Sequence, residues 1–60
     1  MNLENINGRL IQEAGANIME TCNALISGID TGCDERVLQH LVWLIESNME
    51  VMYEEINSVR

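Results

Sequence analysis

An apolar stripe through the second half of the chain restricts its fold more than any other feature. Leu38, Val42, Ile45, Met49, Met52, Ile56 and Val59 recur at alternating spacings of four and three. One face of an α-helix repeats at that interval, whereas a half-buried strand alternates by two. A stripe of this kind is buried by laying it against another helix. The first half of the chain supplies the partner. Leu3, Ile6, Leu10, Ala14, Ile18, Cys22 and Leu25 follow a similar rhythm, widened by Ile11, Met19 and Ile26.

The residues between the two stripes predict a turn. Gly28 is expected to take the left-handed conformation that closes helices, with Ile29 folding back as an apolar cover. Asp30-Thr31-Gly32-Cys33 then reverses the chain, Asp30 or Thr31 caps the second helix, and Asp34 and Glu35 complement its dipole. At the start, Asn2, Asn5 and Asn7 are all candidate caps, and Asn7-Gly8 is itself a turn signal. The expected organisation is one all-α domain over 1–60, an antiparallel helical hairpin. Helix 1 covers about 3–27, the turn 28–33 and helix 2 about 34–58. Folding back at that turn sets Leu25 opposite Leu38, Cys22 opposite Leu41, Ile18 opposite Ile45, Ala14 opposite Met49, Ile11 opposite Met52, Ile6 opposite Ile56 and Leu3 opposite Val59. Gly15, inside Ala14-Gly15-Ala16, weakens helix propensity by up to about 1 kcal/mol relative to Ala. A close approach by another backbone or a bulky side chain would explain it.

Sixty residues are near the lower limit for a domain that folds alone, and such chains need a staple or a second copy. With no Phe, one Trp and one Tyr, the core has to come from aliphatic residues, Met and Ala. The apolar arc of the second helix also takes in Val37, Leu41, Leu44 and Val51, while Ala24, Met19 and Ile26 widen that of the first. One partner helix does not cover such arcs. Two hairpins packed face to face would, so a homodimer forming a four-helix bundle is expected. Its core and dimer contacts are assigned to Leu10, Ile18, Leu25, Leu38, Leu41, Ile45, Met49, Met52 and Ile56.

Ten acids against three Arg and no Lys give a net charge of −7. So few cations cannot neutralise phosphates, which argues against nucleic acid and anionic membranes as partners. A partner protein with a basic surface suits the charge, although acidity also serves solubility alone. The longest apolar run, 41–45, is far short of the roughly 20 residues that cross a bilayer. The first residues lack the pattern of a secretory leader, so a cytoplasmic location is expected.

The search for chemistry finds no catalytic constellation, and no cofactor or metal is expected. His40 is the single histidine, there is no nucleophile elbow and no phosphate-binding loop. His40, Cys33 and Asp34 do not have the spacing of a metal site. Cys22 and Cys33 match no redox motif, and a bond between them would strain the hairpin. They read as a small core residue and a loop thiol. Glu46, Glu50 and Glu54 form an i, i+4 rung beside Glu55, expected to face outward as a solvated acidic surface.

Trp43 breaks the pattern. It stands roughly 200° around the wheel from Ile45, at 100° per residue, in the polar arc of Arg36, Gln39, His40, Ser47 and Glu50. An aromatic ringed by polar groups is the composition of a binding hot spot. Alternatively, a second protomer or the flank of helix 1 covers it. The expected partner-binding set is Trp43, Arg36, Gln39, His40, Glu46, Ser47 and Glu50.

Residues 36–47 carry an Arg, a Leu, then Trp43-Leu44 and Glu46-Ser47 before an apolar helix end. The segment resembles the second helix of small helical-hairpin regulatory proteins of proteobacteria and their phages, of the quorum-sensing anti-activator type, with Ile45 inserted relative to them. The resemblance covers about a fifth of the chain. It implies a dimer of hairpins that binds and inhibits a host regulatory protein. Three non-enzymatic readings follow. The first is an inhibitor or adaptor that engages a host protein through the acidic, Trp-bearing face. The second is an acidic nucleic-acid mimic that occupies the groove of a DNA- or RNA-binding protein. The third is an RNA-binding hairpin dimer, which Arg9, Arg36 and Arg60 are too few and too scattered to favour.

Overall fold

The computed structural model describes residues 6–58. Two helices, α1 (Gly8–Thr31) and α2 (Glu35–Asn57), pack against each other as an antiparallel hairpin, with no strand among the described residues. Of the three candidate caps, Asn7 starts α1: its side-chain oxygen accepts from the Leu10 N–H at 3.2 Å. Leu3, Asn2, Asn5, Val59 and Arg60, together with the expected Leu3–Val59 pairing, lie outside the described residues.

The turn differs from the expectation. Gly28 does not end α1. The helix runs one turn further, to Thr31, and Gly32 closes it at φ 74°, ψ 38°. The Gly32 and Cys33 N–H groups donate to the Ile29 and Gly28 carbonyls at 3.3 and 2.8 Å. That paired closure satisfies carbonyls the helix end leaves without partners. Thr31 adds its hydroxyl, donating to the Ser27 carbonyl at 3.0 Å. The cap of α2 is Asp34, whose carboxylate accepts from the Arg36 N–H at 2.8 Å, so neither Asp30 nor Thr31 caps it. Ile29, expected as a cover, is exposed.

Gly28 instead serves packing. It is buried, and a methyl group in its place would stand 3.1 Å from Leu38 Cδ2 and 3.5 Å from Cys33 Sγ. The side chain of α2's first turn therefore rests on the backbone of α1. This places Gly28 under Leu38, three positions beyond the expected Leu25. Midway, Asn17 Nδ2 donates to Asn48 Oδ1 at 3.4 Å, while Asn48 Nδ2 donates to its own helix at the Leu44 carbonyl, 2.8 Å away.

The hairpin is a rod of 45 × 15 × 11 Å with a radius of gyration of 14.2 Å. A compact globule of this length has a radius near 10 Å. A single layer of two helices cannot enclose a core. Among the described residues Ala14, 3% exposed, is the one buried apolar side chain. Leu10, Ile18, Leu25, Leu38, Leu41, Ile45 and Met52 are half-buried at the seam, while Met49 and Ile56 remain exposed. Half-burial of Leu41, Leu44, Ile45, Asn48, Met52 and Glu55 shows which side of α2 meets α1. The line Val42–Met49–Ile56, central to the sequence stripe, forms one exposed edge of that contact.

Candidate functional site

The side of α2 remote from α1 carries the side chains singled out from the sequence. Asn48 bonds across to α1, and Trp43 stands roughly 140° around the helix from it at 100° per residue. The flank of α1 therefore leaves the indole uncovered, and Trp43 is 58% exposed. Its neighbour one turn back holds it in place. The His40 and Trp43 rings stack with centroids 5.9 Å apart and planes inclined by 16°. An i, i+3 spacing brings two such side chains over each other on a helix surface. The stack limits the rotamers of an exposed indole, which lowers the entropy lost when a partner orders it.

Arg36, Gln39 and Glu50 are exposed on the same outer surface, and Ser47 is half-buried beside them. Glu46 is exposed as well, but its phase sets it about 60° from Trp43, toward the Val42–Tyr53 edge. Of the expected set, His40 and Trp43 are in mutual contact; the others share their side of the helix. Glu50 and Glu54 stand near Trp43 in phase and make that surface acidic.

Glu55 departs from the acidic rung. It is half-buried, and its carboxylate accepts from the Asn7 N–H at 2.8 Å. The first turn of α1 contains no acidic residue, so Glu55 supplies the negative charge its dipole favours, at the expense of a carboxylate near the C-terminus of α2. The exposed Arg9–Glu13 pair, at 3.7 Å, contributes little.

A second surface lies along one broad side of the hairpin. An apolar groove of ≈ 390 Å³ opens between the helices, lined by Ile18 from α1 and Met49, Met52, Tyr53 and Ile56 from α2. Tyr53, which lines it, and Met19, next to Ile18 in α1, are the two most exposed large apolar side chains among the described residues, at 67% and 70%. The sequence reading counted Met19 as surplus apolar surface and did not single out Tyr53.

Cys22 is half-buried and Cys33 exposed, both as free thiols. Among the described residues, no three His, Cys, Asp or Glu side chains come together as a metal site. No helix among them is long and apolar enough to cross a membrane. Compared with known proteins, the chain matches no protein family, no curated sequence and no solved structure. The class defined here is therefore that of a two-helix hairpin with an exposed aromatic on its acidic side.

Proposed function

We propose that this chain is a non-enzymatic protein-binding module, an inhibitor or adaptor of a host regulatory protein, that acts as a homodimer of hairpins in a four-helix bundle. Trp43 carries the reading. It is held by His40, turned away from its own hairpin, and surrounded by groups that can hydrogen-bond a partner. A central aromatic anchor contributes about 2 kcal/mol or more to an interface, and a polar ring around it excludes water. Glu50 and Glu54 favour a partner with basic residues, and the Trp-bearing side presents them together with the indole. The regulatory role rests on the resemblance of residues 36–47. A cytoplasmic setting belongs to the same reading.

The test starts from affinity capture with the wild-type chain in a proteobacterial host, followed by direct binding to the captured protein. Trp43→Ala is expected to weaken that binding at least tenfold, or about 1.4 kcal/mol, with the melting temperature and oligomeric state nearly unchanged. A Trp43→Ala chain that unfolds or dissociates would move the indole into the assembly and remove the binding-site assignment. Salt separates an indole-centred contact from nucleic-acid mimicry, because attraction between exposed charges is screened steeply and apolar burial is not.

A further inference from the structure

The charges of this chain are segregated. Along α1, Ile11, Gly15, Ile18, Met19, Cys22 and Ile26 lie on one flank, and by helical phase no charged residue stands among them. On α2, Val42, Met49, Tyr53 and Ile56 lie on the same broad side, since Ile18 shares a groove with three of them, and exposed Glu46 stands at its outer border next to Tyr53 in phase. The opposite side is different. Glu13, Glu20 and Glu55 border it, around the Asn17–Asn48 pair, so its apolar residue Val51 sits near carboxylates, and Val37 lies on the same side closer to the turn.

We infer that this apolar side, with Gly15 at its centre, is the surface on which a second copy of this chain docks. The inference deepens the homodimer reading and rests on it. Three observations select the occupant. First, a chain of net charge −7 meets another copy at least electrostatic cost where the carboxylates, here Glu46, stand at the border of the contact and not within it. Second, Met19, Ile26, Ile29, Val42, Met49, Tyr53 and Ile56 together expose on the order of 800 Å², which is what each partner buries in a standard-size interface. A small ligand filling the groove would leave Met19 and Ile26 in water. Third, a methyl group added at Gly15 would meet nothing within 4 Å, so no part of its own hairpin uses this glycine. A helix of a second copy laid across it would approach more closely than any side chain permits. Docked in this way, the copies form the two-layer core that one hairpin lacks, and Trp43 on the lateral side of α2 stays uncovered.

Sedimentation equilibrium on the full chain, with helicity followed by circular dichroism over a concentration series, tests the assignment. The wild type is expected to be a dimer at micromolar concentration, with a melting temperature that rises with concentration. Met19→Glu and Tyr53→Glu, placed at side chains already exposed on the hairpin, should each weaken dimerisation at least tenfold. Val37→Glu and Val51→Glu add the same charge to the opposite side and should leave the dimer intact. A monomeric wild type overturns the dimer itself. A dimer that survives Met19→Glu and Tyr53→Glu but dissociates with Val37→Glu or Val51→Glu overturns the choice of face alone. Equal dissociation by all four also overturns it, because the loss would then follow charge and not position.

Discussion

Gly15, in the first half of α1, and Gly28, in its last turn, have opposite surroundings. Gly28 is buried, with Leu38 resting where its side chain would be; Gly15 faces open space. A glycine inside a helix costs up to about 1 kcal/mol relative to Ala, and the hairpin offsets that cost at only one of the two positions. At Gly28 the compensation is the approach of α2 immediately after the turn. At Gly15 the hairpin supplies none within 4 Å of an added methyl group, and the proposed second copy would supply it. On the proposed dimer, close approach within one hairpin and close approach between two would leave the same mark on a sequence.

The largest effect is expected at Gly28. Gly28→Leu places a side chain against Leu38 and Cys33, and overpacking of this kind costs typically about 1–3 kcal/mol. Thermal unfolding at fixed concentration should show a drop of roughly 10 °C, since about 1 kcal/mol moves a domain of this size by 4–8 °C. An unchanged melting temperature would mean that Leu38 has room to leave Gly28, and the contrast between the two glycines would disappear.

Gly15→Leu should act on association instead. The side chain improves helix propensity and its Cβ meets nothing in its own hairpin, so secondary structure persists at high concentration while dimerisation weakens at least tenfold in sedimentation. If dimerisation is untouched, the second copy lies elsewhere. Gly15→Ala is the smallest and finest probe. In dilute solution the gain in propensity should raise stability by less than about 1 kcal/mol, and the gain should shrink as concentration increases and the methyl group enters the interface. A gain independent of concentration would indicate that nothing approaches Gly15.

The hairpin was legible because two stripes with a helical period and a Gly-rich break admit few arrangements. The end of α1 was not. Gly28 and Gly32 stand one turn apart, and both satisfy the local rule for helix closure; the contact with Leu38, which is tertiary, assigns Gly28 to packing and Gly32 to the cap. The phase of α2 was also underdetermined. When an apolar arc is wider than one partner covers, its mean direction does not give the direction of the contact, so Val42, Met49 and Ile56 could take the exposed edge. Asn48 and Glu55 were missed for a related reason. Both are polar residues on the inward side: polarity alone assigns Glu55 to the acidic surface and gives no reason to single out Asn48, although Asn17 and the Asn7 N–H provide partners. Trp43 was legible because a lone indole in a polar arc conflicts with its surroundings in the one-dimensional pattern. The groove beside Tyr53 needs both helices to exist.

The turn through Gly32, Cys33 and Asp34 has a consequence for how the chain comes together in time. Closing so short a connection loses little chain entropy, and pairs near it, such as Gly28 with Leu38, are close in sequence. The hairpin should therefore zip from this end, with the low contact order that permits rapid folding. At the other end, the Glu55 carboxylate on the Asn7 N–H is a single exposed clasp. Amide exchange should accordingly slow along both helices from the open end toward the turn, with opening events beginning where Asn7 and Glu55 part.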